Sequence, residues 1–159
     1  MKKVILPLLT VTALTIGLNE AKAQTPYKSA IGIVFDGSDG ANAGIQYKTA
    51  LTGTSAAQFQ AAFGSNWISL GADWLYQRAI PEAQGLSWYA GAGAQVGFHT
   101  GSYVGDKVWL GVRPQAGLEF KLPTLPLAVH LDYKPYIGFN KGTGFNGDGF
   151  TFGVKYIIK

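Results

Sequence analysis

From Lys28 onward, apolar and polar residues alternate with a period of two. The pattern is plainest at the C-terminus, where Phe150, Phe152, Val154, Tyr156 and Ile158 alternate with Thr151, Gly153, Lys155 and Ile157. Successive side chains of a strand point to opposite faces, so each such segment asks for apolar surroundings on one side and polar ones on the other. Eight segments carry this signature: 28–36, 43–51, 56–63, 67–77, 86–99, 108–120, 127–139 and 150–158. No stretch repeats at the helical period. The connections 37–42, 52–55, 64–66, 78–85, 100–107, 121–126 and 140–149 are rich in Gly, Ser, Asp, Asn and Pro, which turn a chain by allowing positive φ, fixing φ or hydrogen-bonding locally. The prolines of 121–126 would blunt slippage of that hairpin.

The parity of the strands predicts two unlike faces. Ile31, Ile33, Phe35, Ile45, Tyr47, Phe59, Leu70, Trp74, Trp88, Leu110, Leu118, Val129, Leu131 and the Phe150 series share one face, whereas the opposite face holds nearly every charge within a strand. Strand order also sorts the aromatic residues. Phe35, Phe63, Phe98, Phe139 and Phe150 fall at one rim, and Trp74, Tyr76, Trp88, Phe120 and Tyr156 at the other. Two such bands are the mark of two membrane–water interfaces. A soluble sandwich would bury these rings in its core and has no need of bands at both strand ends.

The N-terminus changes where this pattern must be placed. Met1, Lys2 and Lys3 form a basic start, residues 4–18 are almost wholly apolar, and Ala21-Lys22-Ala23 offers small residues for cleavage before Gln24. The apolar run falls short of the roughly 20 residues a helical span requires. Residues 1–23 therefore read as a secretion signal, and 24–159 as one exported domain of 136 residues with its net charge reduced from +4 to +2. Among exported chains with no helical span, apolar strand faces meet lipid only in a closed barrel. The expected fold is all-β: an eight-stranded antiparallel up-and-down transmembrane β-barrel, the even count leaving both termini on the periplasmic side.

Composition agrees. Charged residues make up 14% of the chain where soluble domains run near a quarter, and 47% are hydrophobic. No cysteine is present, which excludes disulfides, thiolate metal sites and a lipid-modified N-terminal cysteine. The lysines are scattered with no cluster to track phosphates, so nucleic acid is not an expected partner.

Three stretches carry a resemblance: Gly85-Leu-Ser-Trp-Tyr-Ala-Gly-Ala-Gly-Ala-Gln-Val-Gly-Phe98, Pro126-Leu-Ala-Val-His-Leu-Asp-Tyr-Lys-Pro135 and Gly147-Asp-Gly-Phe-Thr-Phe-Gly-Val-Lys-Tyr156. With the leader, they resemble the small outer-membrane β-barrels of the OmpA/OmpX type, in the short secreted version found in Gram-negative bacteria. That resemblance implies the cell outer membrane as location and outer-membrane lipid as surroundings. The last strand also resembles the signal read by the barrel-assembly machinery, with Thr151, Gly153, Tyr156 and Ile158 at the signal's positions. Ile158 stands where an aromatic is usual and Lys159 follows it, a departure that bears on insertion efficiency and not on the fold.

The inward faces carry Lys48, Asp73, Arg113, Glu119, Asp132 and Lys134, accompanied by Gln46, Gln58, Gln60, Gln95, Gln115, His130 and Tyr136. An eight-stranded lumen is only wide enough for side chains, so these charges must pair with one another. Centring the turn between the sixth and seventh strands on Pro123 and Thr124 sets Gln115 opposite Asp132 and Arg113 opposite Lys134. Asp132 then comes within diagonal reach of Arg113 for a bidentate pair. Such a network is a polar plug or a gated ion path.

The remaining candidates for chemistry are weak. Gly91, Gly93 and Gly97 lack dinucleotide-loop spacing and sit inside a strand, where they make room for bulky neighbours such as Trp109 and Tyr89. His99 and His130 lie at opposite strand ends with no third metal ligand. Ser69, Ser87 and Ser102 have no histidine beside them to act as a base. Asp36, Asp39, Asp106 and Asp148 fit no calcium loop and read as turn residues. No catalytic residue, metal or cofactor is expected. The reading is a structural or surface-interaction barrel with a polar, side-chain-filled lumen, its extracellular partner unknown. The alternatives are a narrow pore, a lipid-modifying barrel enzyme, or a secreted soluble barrel that holds a small apolar ligand and turns Ile31, Leu110, Val129 and Phe152 into its cavity.

Overall fold

The computed structural model describes residues 27–37, 42–100, 108–140 and 144–158. Residues 1–23, with the expected secretion signal, and the loop aspartates Asp39 and Asp106 lie outside them. The regular elements are all strands: β1 Ser29–Asp36, β2 Asn42–Ala50, β3 Ser55–Phe63, β4 Trp67–Ala79, β5 Leu86–His99, β6 Val108–Lys121, β7 Leu127–Tyr133, β8 Tyr136–Gly138, β9 Phe145–Asn146 and β10 Phe150–Ile157. β8 prolongs the line of β7 and β9 that of β10, so the ten pieces make eight staves. Each stave pairs antiparallel with the next, and β1 pairs with β10, which closes the barrel and leaves no sheet edge.

The closure is staggered. Following register partners from Val129 through Val154, Ile33, Ile45, Ala61, Leu70, Val96 and Leu110 leads back to the seventh stave at Phe139, ten residues above the start. That shear tilts the strands and gives a lumen that side chains can fill. Every residue on this walk is apolar and faces outward.

The turns follow their residues. Gly85, at φ 87°, ends the β4–β5 turn in a conformation that costs other residues strain, and its carbonyl accepts from the Lys121 amide. Thr52 Oγ1 accepts from the amides of Thr54 and Ser55, a side-chain turn that closes β2 onto β3. The 140–149 connection is shorter than the sequence pattern indicates, because β9 already pairs with β8 at Tyr136–Asn146 and Ile137–Phe145. Between that register and the Tyr133–Phe150 pair the eighth stave carries one extra residue, a bulge at Gly147–Gly149.

One seam of the wall is interrupted. The β6–β7 register pairs Ala116 with Tyr133, and the β6–β8 register pairs Val112 with Ile137. Pro114 and Pro135 therefore face each other. The bonds from Phe139 N to Leu110 O and from Leu122 N to Leu127 O show that even positions of β6 and odd positions of the seventh stave donate across this seam. The two prolines occupy a donor position on each side and have no N–H to give. Two ladder bonds are lost together. Each is worth about 1 kcal/mol, so the flanking amides of Val112, Ala116, Tyr133 and Ile137 should exchange with deuterium roughly tenfold or more faster than amides in the middle of the unbroken β4–β5 seam. Residue-resolved exchange of the folded barrel checks this, and equal protection at both seams would contradict it.

The outward face is the apolar one. Ile31, Ile33, Phe35, Ile45, Tyr47, Phe59, Leu70, Trp74, Trp88, Leu110, Leu118, Leu131, Phe152 and Tyr156 are exposed, Phe139 by 69%. Buried apolar residues are few: Tyr27, Ala30, Val34, Ala56, Ala62, Leu75, Tyr89 and Ala128 lie among a larger buried set of polar and charged side chains. This distribution inverts that of a water-soluble domain.

Candidate functional site: the polar lumen

Three clusters fill the lumen. At the end where β1 begins, the Glu119 carboxylate is fully buried and accepts from Lys155 Nζ at 2.8 Å, Lys48 Nζ at 3.1 Å, Gln77 Nε2 at 3.0 Å and Tyr27 Oη at 2.9 Å. Lys48 Nζ also sits over the ring of Tyr89, 4.9 Å from its centroid, and over Tyr27 at 5.6 Å. Such contacts partly replace the hydration that a buried ammonium loses. Tyr27 lies before the first strand. Burial, followed by the adjacent Glu119 carboxylate, pushes its hydroxyl well above its ordinary range and keeps it a donor.

Further along, Asp132 accepts from Thr151 Oγ1 at 2.7 Å and from the Tyr89 hydroxyl, and stands 3.6 Å from Lys134 Nζ, which also donates to Gln60 at 3.1 Å. Beyond it, Arg113 grips Asp73 with two bonds of 2.7 Å from Nε and Nη2, and its Nη1 donates to Gln95 at 2.8 Å. Trp67, Trp109 and Tyr136 stack edge to face at the far mouth, with centroids 6.2 and 5.1 Å apart.

The pairing corrects one expectation from the sequence. Arg113 binds Asp73, 40 residues away, and not Asp132. The turn between β6 and β7 is centred one residue later than Pro123 and Thr124, so Gly117 faces Asp132. Glycines then decide who meets whom. Gly93 is the register partner of both Asp73 and Arg113, and Gly117 of both Tyr89 and Asp132. A Cβ at Gly93 would stand 2.0 Å from Asp73 Oδ1, and one at Gly117 2.8 Å from the Tyr89 hydroxyl. Each missing side chain lets residues from the two flanking strands close over it. Gly97 makes room in the same way for Trp109, and Gly117 makes room for Tyr89.

The six charges expected in the lumen, Lys48, Asp73, Arg113, Glu119, Asp132 and Lys134, are all buried. The sequence reading left Lys155, Gln77, Ser87 and Tyr27 out of the network, although the parity of β10 already set Lys155 on the face opposite Phe152. Of the C-terminal positions, Thr151 is tied to Asp132, Gly153 has no room for a Cβ beside His130, and Tyr156 and Ile158 are exposed. His99 and His130 lie at opposite ends of the barrel, and among the described residues no three histidine, aspartate or glutamate side chains gather as a metal site.

No protein-family model matches the chain, and no curated protein matches it in sequence. Among solved structures, it is similar to the N-terminal β-barrel domain of OprF from Pseudomonas aeruginosa, with a TM-score of 0.66 at 16% identity over 82% of this chain and 97% of that one. The likeness is one of fold, and it bears out the eight-stranded antiparallel barrel expected from the sequence.

Proposed function

We propose that this chain is an integral outer-membrane β-barrel whose lumen is a structural plug, and that it serves as a structural or surface-interaction protein of the cell envelope. The continuous apolar belt carries the reading. Ile33, Ile45, Leu70, Leu110 and Phe152 stand half exposed around a barrel that keeps its charges inside, and water would penalise that arrangement where a bilayer rewards it. The similarity to the OprF barrel domain supports the same location. Three successive paired clusters and an aromatic stack across one mouth support the plug, because they engage the charges with one another. Residues 1–23 would direct export, and Thr151, Gly153, Tyr156 and Ile158 would present the strand read by the barrel-assembly machinery.

Fractionation of cells expressing the full chain tests this. The expected result is a band in the outer-membrane fraction whose gel mobility shifts on boiling, with no stepwise conductance in planar bilayers. A soluble periplasmic protein would overturn the membrane reading, and regular conductance steps would overturn the plug.

A further inference from the structure

The charges buried in the lumen do not balance. Lys48, Arg113, Lys134 and Lys155 are each at least nine-tenths buried, and so are the carboxylates Asp73, Glu119 and Asp132. Among the described residues, four buried cations face three buried anions. Arg113 has Asp73 to itself, and Asp132 stands beside Lys134, so the excess falls at Glu119, which Lys48 and Lys155 share. Asp36, a further inward carboxylate among the described residues, sits at the opposite rim, partly exposed. An uncompensated charge among side chains so deeply buried costs far more than a surface charge.

The same neighbourhood holds polar groups without partners. Both side-chain atoms of Gln46, Nε2 of Gln58 and both ring nitrogens of His130 are buried and make no hydrogen bond within the chain. These residues neighbour the two lysines on the inner wall. Gln58 is the register partner of Lys48 and gives its Oε1 to Lys155 at 3.5 Å, while Gln46 lies two residues from Lys48 on the same face. His130 is the register partner of Glu119, and its ring abuts Gly153, two residues from Lys155. Ammonium, amide N–H and imidazole N–H are the donors that hold a halide, and one negative charge is what the cluster lacks.

We propose that the lumen binds one small monovalent anion, chloride in the cell, beside the Lys48–Glu119–Lys155 cluster and against the free donors of Gln46, Gln58 and His130. The site is independent of whether the outer face meets lipid.

Bromide, which scatters anomalously, tests this in crystals of the detergent-solubilised barrel grown in sodium bromide. One anomalous peak within hydrogen-bond distance of Lys48 or Lys155 is expected, together with an unfolding midpoint that rises by an equal step for each tenfold of bromide above its dissociation constant and does not respond to gluconate. Lys48→Met balances the charges, and it should abolish both the peak and the bromide dependence while leaving the barrel folded. A lumen without the peak, or midpoints equal in bromide and gluconate, would overturn the proposal. Should Lys48→Met fail to fold, the wild-type peak and salt series decide alone.

Discussion

Replacing Glu119 by glutamine should destabilise the barrel by about 3–5 kcal/mol, the cost of leaving a buried charge without its partner. Among the described residues, Glu119 is the carboxylate that pairs with both Lys48 and Lys155, at 3.1 and 2.8 Å, and it also accepts from Gln77 and Tyr27. Glutamine has the same shape and can accept a hydrogen bond through its remaining oxygen, so no cavity opens. What disappears is the charge that two buried ammoniums share. Equilibrium unfolding in urea, with the barrel in detergent or lipid, measures the loss, and Glu82→Gln on the exposed β4–β5 turn is the control, expected within about 0.5 kcal/mol of the wild type. A Glu119→Gln barrel as stable as the control would mean that the lysines find their compensation elsewhere.

Ile33→Arg should cost about 2–4 kcal/mol when the barrel is unfolded from phospholipid vesicles. Ile33 lies midway along β1, points outward with half its surface exposed, and pairs with Ile45 and Val154. In water an arginine at so exposed a position would change stability by no more than about 0.5 kcal/mol, because the guanidinium would remain hydrated. In a bilayer the same group must drag water inward or distort the membrane. The substitution thus separates the two environments at one residue. A neutral effect in vesicles would mean that the apolar belt does not meet lipid, and the soluble-barrel alternative would return.

Much of the architecture was legible because the strand period is local. Each residue's face depends only on its parity, so the outward belt and the inward charges could be read from the chain segment by segment. The strand limits agree closely. The 86–99 segment is β5 in full, and the others differ by a residue or two except at the last hairpin. There Pro135 breaks the seventh stave, and a bulge lets the eighth begin at Phe145, a residue that the sequence pattern had assigned to a loop.

Side-chain partners were a different matter. Shifting the β6–β7 turn by one residue changes the register by two, and a slip of two keeps every residue on its own face. Parity was therefore blind to the error that paired Arg113 with Asp132. The true partner, Asp73, reaches Arg113 across Gly93 from a strand beyond, and a signal for that existed in the sequence: an inward glycine marks a place where two flanking strands can join hands.

What the sequence determined by itself is the alternation, the eight staves and the sorting of apolar from charged faces, since these follow from backbone geometry within a few residues. The tertiary structure alone decided the stagger of ten, the opposed prolines at 114 and 135, and the sharing of one glutamate by two lysines. Those depend on which distant strands become neighbours and at what height, a choice fixed only when all eight registers close on one another.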